Sequence, residues 1–290
     1  MSLLAKLTSK HGEYLHDPLE DIDVFHVRSP HLLTQAAGYL KYSHGQKNSV
    51  GIYYRGQSKL YRGSLAPAIY RNPSGDTCKM GVAKRRIGEL KSYLEACKKQ
   101  GRVLKQVPEY AWEPLLQHYG IYTRWLDIVD NVWIALWFAC NQAKGVGKSG
   151  EFVHFERRKP TAKSEYAYIT MIKAGLVSDD SKPGLFSDGH TKLIDLRVAA
   201  PSTFVRPHAQ TGLLIRVKSP DKDADLDYCS LVAGILRIDL SDALEWLGDG
   251  KLLTTHTLFP PPVYDFGYAD LLKYAPIPET PLGAISHIGA

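Results

Sequence analysis

Between Leu115 and Ala143 the chain reads LLQHYGIYTRWLDIVDNVWIALWFACNQA. Within ten residues, His118, Arg124 and Asp127 bring together an imidazole, a guanidinium and a carboxylate. A histidine oriented by a carboxylate is a general acid or base. A guanidinium is a planar fork for phosphate or carboxylate oxygens. The same residues also suit a purely structural role, because charges near a packed interior are costly unless paired. Arg124 and Asp127 are close enough in sequence to pair, and Asp127 is alternatively placed to favour a helix N-terminus electrostatically.

These groups need elements to hold them. Val132, Ala135, Leu136 and Ala139 recur at helical spacing, and Trp133, Trp137 and Cys140 form a second apolar stripe. A helix apolar over most of its circumference belongs inside the protein, with Asp130 or Asn131 as its cap. Gly120 lets the chain turn sharply after a helix over Glu109–His118. Upstream, Val50–Tyr54 (VGIYY) reads as a short strand, and Arg55-Gly56-Gln57 follows at its end. An Arg there is placed to project into a cleft, while Gly56 gives the backbone room for close approach of another chain or a ligand. The plainer alternative is a surface Arg and a turn Gly.

The whole chain has 290 residues, 44% hydrophobic and 23% charged, which are ordinary values for a globular protein. No run is long and apolar enough to span a bilayer, and the LLA near Met1 is too short for a signal peptide. A cytoplasmic protein with no membrane partner is therefore expected. Cys78, Cys97, Cys140 and Cys229 are irregularly spaced with no CxxC, so no metal site is expected and a reducing compartment fits. A net charge of +6 and a pI near 8.9 admit a nucleotide, a nucleic acid or no charged partner. Basic residues concentrate between Lys79 and Lys105, which reads as a helix with a solvated basic face; a phosphate-backbone surface is the alternative. His26, His154, His190, His208 and His256 lack paired spacing and read as ordinary core or surface histidines. Gly147-Lys148-Ser149 is not a phosphate loop, since Gln142 stands where the motif needs Gly and the flanking elements come in reverse order.

Residues 1–23 read as an N-terminal arm, and a single domain over residues 24–290 follows. Pro30–Leu40 is expected to be a helix capped by Ser29, and Ser43–Asn48 a loop. Leu65–Tyr70 reads as briefly extended, residues 73–76 as a turn, and Lys79–Gln100 as the basic helix. Strands are expected at Glu151–Phe155, Tyr166–Ile172, Lys192–Leu196, Leu213–Val217 and Leu231–Ile238. Short helices are expected at Ser241–Leu247, with Ser241 as cap, and at Tyr268–Tyr274. The segment Ala174–His190 reads as a flap or a plain surface excursion. Helices dominate the first half and strands the second. This implies an α+β fold, with a helical N-terminal half packed on a mostly antiparallel, twisted β-sheet or sandwich core.

Four separated blocks together resemble the FRG domain family. They are Tyr54-Arg55-Gly56-Gln57; Gln117-His118-Tyr119-Gly120 with Thr123-Arg124-Trp125-Leu126-Asp127 and Ala135-Leu136-Trp137-Phe138-Ala139; Arg206 to Gly212; and Leu258-Phe259-Pro260. Tyr122 stands where the family usually has proline and Trp125 where it has leucine. More distantly, the strand ending Tyr54-Arg55-Gly56 is similar to the opening strand of ADP-ribosyltransferases of the Arg-Ser-Glu type, whose Arg grips the NAD phosphates. Gln210-Thr211-Gly212 resembles their later catalytic loop, with Gly212 at the position of the glutamate that orients the ribose.

The resemblance implies an ADP-ribosyltransferase-like fold that binds NAD or a related nucleotide. Tyr54, Arg55, Gly56, Gln57, Tyr119, Arg124 and Arg206 are the expected cofactor-binding residues, and His118, Asp127 and Gln210 the expected catalytic ones. Tyr53, Tyr54 or Tyr119 would stack on a ring of the ligand, and His208 is a further phosphate contact. The acceptor would be a protein or a nucleic acid. Two other classes stay open. One is a nucleic-acid-binding module of a defence or mobile-element protein, working through Lys84, Arg85 and Arg86. The other is a hydrolase using His118 and Asp127 without a recognisable nucleophile elbow.

Overall fold

The computed structural model of the chain describes residues 7, 12–17, 22–48, 50–60, 65–72, 77–100, 102, 104–146, 151–161, 165–178, 181–218, 228–278 and 282–289. The expected turn at residues 73–76 and the Gly147-Lys148-Ser149 stretch lie outside them.

The architecture is α+β. Its main sheet has nine strands in the order β1-β2-β11-β7-β3-β4-β10-β9-β8. In chain order these are β1 (Gly12–Asp17), β2 (Ile22–Val27), β3 (Val50–Gln57), β4 (Leu126–Val129), β7 (Tyr166–Gly175), β8 (Leu185–Ser187), β9 (Thr191–Asp195), β10 (Gly212–Val217) and β11 (Val232–Asp239). Every pairing is antiparallel except β2 with β11. A second sheet, β12-β6-β5, is built from β5 (Asn141–Val146), β6 (Phe152–Arg157) and β12 (His287–Ile288).

The helices are α1 (Pro30–Asn48), α2 (Met80–Gln100), α3 (Glu109–His118), α4 (Val132–Cys140), α5 (Leu196–Ala199), α6 (Val205–Ala209), α7 (Leu240–Trp246), α8 (Thr255–Leu258) and α9 (Phe266–Tyr274). Among the described residues no helix is long and apolar enough to cross a membrane.

Strand alternation divides the core. Tyr53, Ile128, Leu213 and Leu193 pack on one face, under Leu65 and Tyr228. Their neighbours point the other way, into two clusters. Tyr54 and Val129 join α1, α4 and α7. Leu214 and Ile194 join α2, α3 and α9. The candidate site lies between these two clusters.

Several local expectations are revised by long-range pairing. Residues 12–17 form a strand rather than an irregular lead-in, because β2 offers them a full antiparallel partner. The expected loop at 43–48 continues α1, although Ser29 caps that helix as anticipated, accepting from the Leu32 amide at 3.2 Å. Residues 68–70 are a 3-10 turn, not extended. Asp239, not Ser241, occupies the cap position of α7. Residues 144–146, the described part of a loop expected over residues 144–150, belong instead to β5, which pairs with β6. The Ala174–His190 excursion is partly ordered by β8 pairing with β9 and by Asp188, which accepts from the His190 and Thr191 amides.

Candidate functional site

The site begins with the seating of α4. Asn131 caps the helix, its Oδ1 accepting from the amides of Trp133 at 2.9 Å and Ile134 at 3.4 Å. The helix is buried almost all round and its backbone rests directly on β3. A Cβ on Gly56 would lie 1.8 Å from the Ala135 carbonyl oxygen and 2.8 Å from the Ala139 nitrogen. Gly56 therefore makes room for the backbone of a helix, the first of the two uses expected for its space.

Strands β3 and β4 share one register pair, Tyr54 with Val129. Beyond it, Arg55 reaches across and donates from Nη1 to the Asp127 carbonyl at 2.7 Å. That guanidinium braces the seam between the strands at the edge of the cavity it was expected to enter. Gln57 accepts a hydrogen bond from the buried Thr170 hydroxyl.

Helix α3 delivers the acid–base groups. Its end is turned by Gly120, at φ +115°, where a Cβ would also strike the Ala284 carbonyl. Gln117 accepts from the Thr123 amide and hydroxyl at 2.9 and 3.0 Å, and donates from Nε2 to Asp127 Oδ2 at 2.9 Å. His118 Nδ1 lies 3.5 Å from Asp127 Oδ1. The imidazole is 4% exposed and the carboxylate 36%, and the buried His118 Nε2 has no hydrogen-bond partner among the described residues. Burial acts to raise the Asp127 pKa. The hydrogen bond and charge of His118, the Arg55 guanidinium and the Gln117 amide outweigh it, and hold the carboxyl below its ordinary value. The result is an ionised carboxylate fixed by an amide and facing an imidazole whose second nitrogen is uncommitted. That is the arrangement a general base requires.

Arg124 takes no part. It pairs with Glu113, with Nε–Oε1 at 3.0 Å and Nη2–Oε2 at 2.5 Å, and its amide donates to the same carboxylate at 3.1 Å. The expected alternative of a pairing with Asp127 is not taken, because the preceding helix presents a carboxylate on the far side of the turn. Arg86 is likewise turned inward, donating to the carbonyls of Ile69 and Arg71. The outward basic face of α2 therefore lacks one of its three expected phosphate contacts.

The remaining groups come from α6 and its exit. Gln210 donates from Nε2 to the Leu258 carbonyl at 2.8 Å, which ties α6 to α8. Thr211 adopts a left-handed φ of +48° just before Gly212, an uncommon conformation for a β-branched residue. Arg206 is 2% exposed. Tyr119, expected to stack on a ligand ring, instead lies under that guanidinium at 4.3 Å and donates its hydroxyl to Asp265 at 2.7 Å. Burial drives its phenol far above the ordinary value. Tyr53 points to the opposite face of the sheet.

These pieces enclose a cleft of about 1150 Å³. Of the residues expected from sequence, Tyr54, Arg55, Gly56, Gln57, His118, Tyr119, Asp127, Arg206 and Gln210 line it, and Arg124 does not. Sequence reasoning missed Gln117 as the clamp on Asp127; its signals were adjacency to His118 at a helix end and its place in the family block. It also missed an aromatic wall of Phe138, Phe155 and Phe259, in which Phe155 and Phe259 stack at 4.4 Å. The C-terminal stretch, including Gly283, Ala284 and Ser286, closes one side.

No curated protein and no solved structure matches the chain. Residues 51–147 match the FRG domain family. The match runs from β3 to the end of β5, so it takes in Arg55, Gln117, His118 and Asp127, while Arg206, Gln210 and Phe259 reach the cleft from outside it. The glycine that seats α4, the strand that carries Arg55 and the helix end that carries His118 thus fall within one recognised unit: the chain contains an FRG domain.

Proposed function

We propose that the cleft binds a nucleotide of the NAD type and that His118 serves as its acid–base group. One observation carries this reading. Residues as distant in sequence as Arg55, His118, Asp127, Arg206 and Gln210 line a single cavity. Its volume of about 1150 Å³ suits an extended ligand, since pockets for small molecules run from about 300 to 1,000 Å³. The aromatic wall offers flat apolar surface to a base, and the guanidinium-bearing side offers donors to phosphate.

For ADP-ribosyl transfer, the acceptor's nucleophile would attack the ribose C1′. The bond from C1′ to nicotinamide would break, nicotinamide leaving with the electron pair, and the acceptor's proton would pass to His118 Nε2. Asp127 would stabilise the imidazolium so formed. The acceptor, a protein or a nucleic acid, would approach from the open mouth of the cleft.

Calorimetry with NAD tests the reading. Arg55→Ala removes a cation from the cleft wall and the bond that fixes the Asp127 carbonyl, and it should weaken binding about tenfold or more, as expected for loss of a charge-assisted hydrogen bond. Equal heats for the folded variant and the wild type, or no heat from either, would remove the proposal.

A further inference from the structure

Arg206 is the one buried Lys or Arg among the described residues. Its guanidinium carbon lies 4.3 Å from the Tyr119 ring centroid, 4.5 Å from Tyr268 and 5.3 Å from Phe259. Cation–π attraction offsets part of the lost hydration. It does not replace hydrogen bonds, and a buried cation normally finds a carboxylate. Here Nη1 makes a long contact of 3.4 Å to the His118 carbonyl, while Nε and Nη2 have no hydrogen-bond partner among the described residues and are shielded from bulk solvent.

Those two nitrogens form one edge of the guanidinium, and the chain shows elsewhere what that edge is for. Arg124 uses Nε and Nη2 to hold Glu113 at 3.0 and 2.5 Å. Arg197 uses the same pair to hold Asp195 at 2.8 and 2.6 Å. At Arg206 the carboxylate close by is Asp265, which is fully buried and already committed. Its Oδ2 accepts from the Tyr119 hydroxyl at 2.7 Å and from the Arg206 amide at 3.0 Å, and its Oδ1 accepts from the Tyr268 amide at 2.9 Å. Asp265 thus fixes the backbone of Arg206, the Tyr119 hydroxyl and the Tyr268 amide, so that both rings are held beside the Arg206 side chain. It presents the guanidinium without occupying its fork.

We infer that Arg206 is an internal oxyanion seat at the floor of the cleft, taking a phosphoryl group of the ligand on its Nε–Nη2 edge beside the His118–Tyr119 step. Arg206 is among the residues that line the cleft, so an anion would enter from there by displacing what covers Nε and Nη2. Arg55 already spends Nη1 on the Asp127 carbonyl, which leaves Arg206 as the primary anchor and Arg55 as an outer contact. In naming a phosphoryl group this inference rests on the nucleotide reading; the seat itself needs only two coplanar oxygens.

Arginine-labelled protein tests it by 1H–15N spectroscopy. The Arg206 Nε–H signal is identified by cross-peaks to the Tyr119 and Tyr268 rings and by its loss in Arg206→Lys. Sodium pyrophosphate, and separately NAD, are titrated at fixed ionic strength while calorimetry follows total binding. The seat predicts a saturable downfield shift of that signal with pyrophosphate, and binding at least tenfold weaker in Arg206→Lys, which keeps the charge but loses the fork. A signal that stays in place through both titrations overturns the seat, as does full-strength pyrophosphate binding by a folded Arg206→Lys. If that variant does not fold, the wild-type titration decides alone. Pyrophosphate moving the signal while NAD gives no heat keeps the seat and ends the nucleotide reading. NAD binding with the signal unmoved does the reverse.

Discussion

The imidazole of His118 lies against the Cα of Gly212: a Cβ built there would sit 2.5 Å from His118 Cε1 and 3.0 Å from Nε2. On the resemblance of the Gln210-Thr211-Gly212 loop read from the sequence, Gly212 would stand where ADP-ribosyltransferases carry a catalytic glutamate. In this fold the space through which such a side chain would leave the backbone is filled by an imidazole arriving from α3. A side chain at position 212 and the imidazole of His118 therefore compete for one space. Any acid–base group at this place must come from the helix end and not from β10.

Gly212→Ala should consequently cost stability without any change in backbone preference. Overpacking a filled site typically costs about 1–3 kcal/mol, and Gly212→Glu should cost at least as much while supplying no new activity. The two positions should also be coupled. In a His118→Ala background the cavity left by the ring accepts a side chain at 212, so the penalty of Gly212→Ala should shrink. Urea unfolding of the four proteins in the double-mutant cycle measures this; additive penalties would show that the ring does not fill that space in solution.

Gly56 makes a sharper case. A Cβ there meets the Ala135 carbonyl oxygen at 1.8 Å, and backbone in the middle of a capped, buried helix cannot step aside as a side chain can. Gly56→Ala should destabilise the protein at or beyond the upper end of the about 1–3 kcal/mol overpacking range, visible as a large drop in urea midpoint or as insoluble expression. Asn131→Ala, which leaves the packing intact and removes only the cap, should cost about 1 kcal/mol. A Gly56→Ala protein as stable as Asn131→Ala would mean that α4 does not rest on β3 as described.

What the sequence disclosed and what it withheld divide by range. The α4 helix, its cap at Asp130 or Asn131 and the turn at Gly120 depend on neighbours within a few residues, and all were readable; the structure selects Asn131. So was a strand over VGIYY, because it has β-branched and aromatic character of its own, although that strand runs on through Arg55 to Gln57 in register with β7. Strand β4 was not readable. Its four residues, LDIV, become a strand only between β3 and β10, and β10 lies more than eighty residues downstream. Without β4, Asp127 looked like a partner for Arg124, and the hold of Gln117 on it had no visible reason. The aromatic wall was hidden for the same cause: Phe155 and Phe259 are stacked by tertiary contact alone.

Arg124 offers a test of that revision. Its salt bridge to Glu113 is largely buried, with side chains 23% and 11% exposed. Removing one partner strands the other, and for a buried pair this costs about 3–5 kcal/mol; the partial exposure here puts the expectation near the lower end. Arg124→Ala and Glu113→Ala should each show that loss, and the double variant much less than the sum. Nucleotide affinity of the folded fraction should stay within about twofold, since a residue off the cleft contributes nothing to the ligand. A selective loss of binding in Arg124→Ala at unchanged stability would return this arginine to the site.

Asp127 makes the site's charge state measurable through pH. Its folded-state pKa lies below the ordinary carboxylate value, so the ionised form is stabilised by folding. That contribution is complete above the unfolded value near about 4 and is lost as the pH falls from there through the depressed folded value. Asp127→Asn keeps a carbonyl oxygen for the Gln117 amide but carries no charge, and so removes this one titration while every other carboxylate titrates in both proteins. The stability gap between wild type and Asp127→Asn, from urea midpoints, should be constant above about pH 5 and close progressively below about pH 4. Curves that run parallel down to pH 2 would show that the carboxylate is not held ionised by His118, Arg55 and Gln117. The acid–base pair proposed for the cleft would then lose its orienting member.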